Sequence, residues 1–288
     1  MVMIYALWPN NAPCLRASVA RSARHVTGEL YDSVVTSPFT GKTLTFLRAL
    51  KRNNDRDWFR ARKADYERHV RGPMIEVLGR LAVDLRPFAP DLIADPKVSL
   101  YRIYRDTRFS HDKSPLKTHA AAHFPARGFR RNEGAGLYFE VSPEGVWMGG
   151  GMYMPSTSDL QAIREAIAST HPRLHRVVTS QAFKRTVGEL GGERLSRVPR
   201  GYLKDHPAAH YLQFKQFLAG SQYEPAFATS PRFYPELVRV FKAVTPLVQF
   251  LNRPLLDGLA HAPLTLEEPS PRRRQRTGVP PPAPSPMW

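Results

Sequence analysis

Strand-like patterns are confined to one central stretch of this chain, with helix-like patterns on both sides of it. The strand candidates lie at 97–106, 118–124, 136–141 and 145–152. A parallel sheet would need a crossover helix between strands, and no helical pattern separates these four. The segregation therefore predicts an α+β fold, with a small antiparallel β-sheet flanked by N-terminal and C-terminal helices.

Three helices are predicted before the strands. Thr40 can cap the first, whose apolar side is built from leucine and phenylalanine. The run Asn53-Asn54-Asp55 ends it and can cap the second, and Pro73 suits the first turn of the third. Helical spacing returns after the strands at 158–169, 172–179, 182–190, 207–218 and 231–251.

The two ends differ from the middle of the chain. Residues 1–38 show no sustained periodicity, and we expect a poorly ordered N-terminal extension there. Residues 267–288 contain seven prolines and four arginines with almost no core-forming side chains. Such a composition buries too little apolar surface to offset the entropy of ordering, so a disordered tail is expected. We therefore predict one α+β domain at 39–255.

The net charge, the cysteine count and the distribution of apolar residues limit the classes of function that this chain can have. The formal net charge is +17, and the excess of basic residues lies mainly between the two ends. Such a charge favours anionic partners. Cys14 is the only cysteine, which excludes an intramolecular disulfide and a cysteine-built metal site. No apolar stretch approaches the ~18 residues of a membrane span, so we expect a soluble, cytoplasmic protein with no membrane partner.

The segment 101–118 carries the densest charge. It contains five cations, opposed by Asp106 and Asp112, and it begins like a strand and ends in turn residues. The five cations are Arg102, Arg105, Arg108, Lys113 and Lys117. Binding groups favour such strand ends, because a rigid element aims them and a loop exposes them. The pattern predicts a pocket for phosphate or carboxylate.

Strand alternation divides the first half of this segment. Arg102, Tyr104 and Asp106 would point one way, and Tyr101, Ile103 and Arg105 the other. One arginine set could bind a ligand while the other ties the sheet to its helices. A purely structural network of arginines and carboxylates explains the same pattern equally well.

Two features of the later strands add candidate site residues. Gly149-Gly150-Gly151 removes side chains near a strand end, which would let a ligand approach the backbone at Gly150, or equally permit a bulge or tight packing. Tyr138 and Glu140 share a strand face. Glu140 is a candidate general base if the protein is an enzyme, with Asp106 and Asp112 as further acid–base candidates; a simple ion pair is the alternative for Glu140.

Several familiar signatures are absent. Gly41-Lys42-Thr43 has no glycine at the P-loop spacing, and neither a dinucleotide fingerprint nor a Gly-x-Ser-x-Gly elbow occurs. Three His-x-x-x-His pairs would each share a helix face, namely His119/His123, His171/His175 and His206/His210. None has the glutamate of the zinc-protease motif. We therefore predict no metal and no cofactor.

Four blocks resemble one known family. They are Phe46-Leu47 to Asn53-Asn54 with Trp58-Phe59 and Tyr66; the run 102–110 with Asp112-Lys113, Pro115 and Lys117-Thr118; Gly149-Gly150-Gly151 with Pro155, Leu160 and Ile163-Arg164; and Asp205-His206-Pro207 with Leu212 and Lys215. The chain thereby resembles the family catalogued as domain of unknown function 2461 (DUF2461), over residues 39–255. The resemblance implies one α+β domain and brings no established activity with it.

The leading functional hypothesis is binding of a phosphorylated or otherwise anionic small ligand. Its predicted contacts are Arg102, Arg105, Arg108, Lys113 and Lys117, with Tyr104 and Gly150 beside them. An enzyme acting on that ligand is compatible with these residues, although no catalytic signature identifies a reaction. A nucleic-acid-binding module is the first alternative, because of the basic charge. A scaffold with a purely structural arginine–aspartate network is the second.

Overall fold

The computed structural model describes residues 36–108, 111–130 and 133–261. The predicted tail, and the predicted extension apart from residues 36–38, lie outside the described residues. So do Phe109 and Ser110 of the segment 101–118, which we call the cationic segment.

The described residues form an α+β structure with one four-stranded antiparallel sheet, as the segregated patterns predict. The α-helices are α1 (Gly41–Arg52), α2 (Arg56–Ala61), α3 (Lys63–Tyr66), α4 (Gly72–Asp84), α5 (Pro96–Ser99), α6 (Thr157–Thr179), α7 (Gln181–Val187), α8 (Ala209–Leu212) and α9 (Phe233–His261). A π-helical turn spans Glu67–Arg71 and a 3-10 turn spans Pro225–Thr229. The strands are β1 (Ala120–Pro125), β2 (Gly136–Val141), β3 (Val146–Met152) and β4 (Phe217–Tyr223).

The N-terminal helices begin where the sequence predicts. Helix α1 starts directly after Thr40, and the Asp55 carboxylate caps α2 by accepting hydrogen bonds from the backbone N–H groups of Asp57 and Trp58. These bonds satisfy donors that have no partner inside the helix.

Helix α1 is tied to the π-helical turn by a buried hydroxyl. Pro73 has no N–H to donate to the carbonyl of His69, four residues earlier. The Thr43 Oγ1 hydroxyl donates to that carbonyl at 2.6 Å and accepts from the Thr40 N–H at 3.1 Å. The Thr43 side chain itself is fully buried.

The sheet order is β1-β2-β3-β4, and every neighbouring pair is antiparallel. The strands predicted at 136–141 and 145–152 are confirmed and form a hairpin: β2 and β3 are joined at Ser142-Pro143-Glu144, with the Ser142 N–H donating to the Gly145 carbonyl at 2.9 Å. Residues paired across strands point to the same side, which defines two faces.

The core face of the sheet packs on α9. Buried phenylalanines make the contact: the rings of Phe124 and Phe241 lie 5.3 Å apart, and those of Phe139 and Phe233 lie 6.2 Å apart. The opposite side, here called the outer face, carries His123, Tyr138, Glu140 and Trp147 and is only partly covered. The buried carboxylate of Glu140 therefore lies on the outer face.

The predicted strand at 97–106 is wrong as a member of the sheet. Asp95 and Pro96 start the short helix α5, and the chain then runs extended with isolated bridges between Leu100 and Ala122 and between Tyr104 and Leu116. The alternation itself is present: positions 101, 103 and 105 are partly or fully buried, while positions 102, 104 and 106 are exposed.

The predicted helix at 207–218 is also wrong. It is only the four-residue α8, after which the chain enters β4 beside β3. That pairing is non-local, because the strands it joins lie about 65 residues apart in the sequence. The helices predicted at 158–169 and 172–179 form one element, α6, with non-helical backbone at Thr170 just before Pro172.

No helix within the described residues is long and apolar enough to cross a membrane.

Replacing Thr43 with valine should lower the free energy of unfolding by about 1–3 kcal/mol, because it leaves the His69 carbonyl and the Thr40 N–H unsatisfied. Chemical denaturation of the full chain measures this. Thr43→Ser keeps the hydroxyl and should lose about 1 kcal/mol or less, for one missing methyl group. Equal stability of the valine variant and the wild type would contradict the assignment.

Candidate functional site

The cationic segment folds back on itself beside β1. Arg105 donates its backbone N–H to the Pro115 carbonyl at 2.9 Å, and Lys117 donates to Ile103 at 2.8 Å. Tyr101 donates to the Ala121 carbonyl of β1 at 3.0 Å. The segment therefore contacts the edge strand β1, and its residues 103–105 are hydrogen-bonded to residues 115–117.

The Asn54 side chain fixes this fold-back from the helical side. Its amide donates to the Leu116 carbonyl at 2.9 Å and accepts from the Leu116 N–H at 3.0 Å, as a neighbouring strand would. Leu116 itself is fully buried. The cationic segment is thus anchored at both its backbone and its apolar side chain.

Three of the predicted cations form contacts within the segment. Arg105 pairs with Asp112; Arg108 contacts Asp106 through Nη2–Oδ2 at 2.8 Å and Nε–Oδ1 at 3.0 Å; and Lys113 donates to the Thr107 carbonyl at 2.9 Å.

The two aspartates of these pairs are held ionised. Hydrogen bonds from the Arg108 side chain, its largest cause, bring the pKa of Asp106 well below its usual range. Hydrogen bonds from Ser114, and then the guanidinium of Arg105, lower the pKa of Asp112 to about 2. Both carboxylates are therefore charged at neutral pH and balance their arginines.

Arg105 and Lys117 are the two predicted cations that approach the outer face. The Lys117 ammonium lies 4.5 Å from the centre of the Tyr101 ring, which lies 6.4 Å from the ring of Tyr138 on β2. Lys117 and Arg105 both act electrostatically on His119, the residue just before β1. The fold thus brings these two charges to one edge of the outer face.

A buried acid lies at the centre of this face. Glu140 is 3% exposed, and its Oε2 accepts a hydrogen bond from the Tyr138 hydroxyl at 2.6 Å. The same oxygen lies 4.0 Å from Nε2 of His119. We call Tyr101, Lys117, His119, Tyr138 and Glu140 the outer-face cluster.

His119 is kept neutral by its surroundings. Burial is the largest cause that lowers its pKa below 6.5; Lys117 and Arg105 add to this, and Glu140 opposes it. A neutral imidazole beside a buried carboxylate can accept a proton, because the carboxylate stabilises the imidazolium that forms.

An indole ring lies flat on the outer face because glycines leave room for it. A Cβ on Gly149 would lie 2.8 Å from the Trp147 ring, and one on Gly220 would lie 2.6 Å from it. These two glycines pair across β3 and β4. The Trp147 ring lies 5.6 Å from that of Tyr138, so an aromatic row extends from the cluster across the sheet.

The remaining predicted site residues lie elsewhere. Arg102 and Tyr104 are exposed on the other side of the segment, and the Tyr104 ring contacts Phe59 at 5.9 Å. Gly150 is on the core face, where an added Cβ would lie 3.0 Å from Leu137. Here the triple glycine serves tight packing.

The sequence does not predict the roles of two residues of the candidate site, His119 and Asn54. His119 was paired with His123 on a predicted helix face, which is wrong, because β1 contains His123 and begins directly after His119. Strand alternation from position 121 back to position 119 was the available signal. For Asn54 the sequence predicts only a place in the run 53–55, which ends one helix and can cap the next. Its hydrogen bonds to Leu116 join residues 62 positions apart, and no local pattern indicates them.

Within the described ranges, no group of three or more His, Cys, Asp or Glu side chains has the arrangement of a metal site.

Comparison with known families identifies the class of this protein. The model of the family described as "Conserved hypothetical protein (DUF2461)" matches residues 42–250, which include α1 to α8, the whole sheet and most of α9. The chain belongs to this family. No curated protein and no solved structure matches it.

Acidification should destabilise the protein partly through His119. Its folded pKa lies below the unfolded one, so the neutral form contributes stability that is lost as the pH falls below 6.5. The free energy of unfolding, measured at about pH 7.5 and about pH 5.5, should fall less in His119→Gln than in the wild type.

The matched control is His111→Gln, since His111 is exposed. Its pH dependence should equal that of the wild type. An unchanged pH dependence in His119→Gln would contradict the partly buried, neutral state of this imidazole.

Proposed function

We propose that the protein binds a small ligand carrying a phosphate or carboxylate group at the edge of the outer face, where Arg105 and Lys117 contact the anion. The observation that carries the proposal is the position of the Lys117 ammonium 4.5 Å from the Tyr101 ring, which neighbours Tyr138 and its hydrogen bond to the buried Glu140. Arg105 acts electrostatically on His119 from the same edge. Buried acids and shifted histidines beside charged partners are typical of functional sites.

Arg105 can pair with Asp112 and still bind an anion. The contact with Asp112 uses Nη1 alone, and a guanidinium carries five N–H donors. Its side chain is 23% exposed, so a ligand can reach the remaining donors. Lys117 supplies a second positive charge, and the aromatic row from Tyr138 to Trp147 offers a surface for the apolar part of a ligand.

The outer-face cluster also supports proton transfer to or from the bound ligand. In this extension of the proposal His119 accepts the proton, and Glu140, 4.0 Å away, stabilises the imidazolium. The Tyr138 hydroxyl keeps the carboxylate in place through its 2.6 Å hydrogen bond. The protein would then be an enzyme acting on an anionic substrate.

Nucleic-acid binding is a second candidate, supported by the net charge of +17 and by the exposure of Arg102 and Arg108. Phosphate-backbone binding releases counterions, so its affinity falls steeply with salt. A small ligand held by two cations and an aromatic surface depends on salt much less.

A thermal-shift screen of the full chain tests the proposal, with phosphomonoesters, small carboxylates and oligonucleotides at two salt concentrations. A ligand that binds the native state raises the melting temperature by mass action. Arg105→Ala or Lys117→Ala should weaken that ligand about tenfold or more, since a hydrogen bond to a charged group contributes ~1.5–3 kcal/mol.

Two variants separate binding from structure. Arg102→Ala removes a cation from the same segment but from its exposed side, and it should leave the affinity unchanged. Asp112→Asn breaks the same ion pair as Arg105→Ala but keeps the cation, so it should bind as tightly as the wild type or more tightly. Equal losses in Asp112→Asn and Arg105→Ala would instead favour a structural network. Oligonucleotide shifts that vanish with salt would favour nucleic acid.

A further inference from the structure

Two of the His-x-x-x-His pairs lie close together in space, and three of their four histidines line a cavity. His171 and His175 lie on the second half of α6, and His206 and His210 lie before and within α8. The rings of His171 and His206 are 6.1 Å apart. The cavity beside them has a volume of about 480 Å³ and is lined by polar side chains that include His171, His175, Arg176, Thr179, His210 and Tyr211.

Two of these rings use Nδ1 in hydrogen bonds within the protein. The Tyr211 side chain is buried, and its hydroxyl lies 2.9 Å from Nδ1 of His175. With the hydroxyl as donor, Nδ1 is the acceptor and the ring proton is on Nε2. His206 accepts the Ala208 N–H on Nδ1 at 3.0 Å, which likewise places its proton on Nε2.

This arrangement suits an anion better than a metal ion. Among the described residues that line the cavity there is no carboxylate, and Arg176 adds a permanent positive charge. Imidazole N–H groups, a guanidinium and hydroxyls are donors to phosphate oxygens.

The electrostatic surroundings of His210 also favour an anion over a metal ion. Burial lowers its pKa most, and the next causes are the bases His175, Arg194 and His171, all of which disfavour a further positive charge. The ring of His210 also lies against that of Tyr211, with centroids 3.7 Å apart, and this pair forms an aromatic wall.

We propose that this cavity is a second ligand site, which binds the phosphate group of a small phosphomonoester through His171, His175, His210 and Arg176. It lies on α6 and α8, whereas the site of the proposed function lies on β1, β2 and the cationic segment. The aromatic wall and Pro172 and Pro207 leave an apolar side for the organic part of the ligand, for which the volume is large enough.

NMR spectra of the histidine side chains, recorded on the full chain, separate the two sites. The His119 resonances report on the outer face, and those of His171, His175 and His210 report on the cavity. The probes are inorganic phosphate, AMP and adenosine at constant ionic strength. AMP and phosphate should shift the three cavity resonances with saturation, and adenosine should not. Shifts confined to His119 would support the proposed function and overturn the cavity site.

Arginine variants on one helix provide the matched comparison. Arg176→Ala should weaken AMP at the cavity about tenfold, the loss expected for one charge-assisted contact. Arg173→Ala removes an exposed arginine of the same helix that does not line the cavity, and AMP affinity should be retained. Equal affinities of the two variants, or equal binding of AMP and adenosine, would overturn the proposal.

Discussion

The packing of the sheet on α9 is the constraint on which the rest of this structure depends. Phe124 and Phe139 from the sheet meet Phe233 and Phe241 from the helix, and these side chains are fully buried or nearly so. Because these apolar contacts fill the core face around Phe124 and Phe139, the neighbouring positions of β2 that face the other way can carry polar groups. The buried Glu140 and its hydrogen bond to Tyr138 are therefore on the outer face, where the cationic segment passes.

Side-chain amides hold the connecting segments to this framework. Asn252 on α9 accepts from the Ala135 N–H at 2.7 Å and donates to the Ala135 carbonyl at 2.9 Å, which fixes the entry to β2. Asn54 forms the same two bonds with Leu116 in the cationic segment. Each amide replaces a strand neighbour for one residue, so irregular backbone is satisfied where no strand is available. The charges of the cationic segment are placed by a neutral residue.

The two proposed sites use cations differently. In the cationic segment most positive charges meet a carboxylate or carbonyl within the same loop, and Arg105 and Lys117 reach the outer face. The cavity between α6 and α8 has bases without an acidic partner among its described lining residues. A net charge of +17 thus contains locally balanced pairs as well as the cations that the two proposed sites would use.

The sequence by itself determined the starts of α1, α2 and α4, the strands β2 and β3, the α+β class and the alternation at 101–106. These depend on local chemistry, such as the Asp55 cap and the turn at 142–144. Tertiary structure decided that 207–218 ends in β4, where glycines 149 and 220 pair between two distant strands. It also decided that His119 lies beside Glu140 and that histidines of α6 and α8 line one cavity. Such placements depend on contacts between residues distant in the chain, which no local pattern encodes.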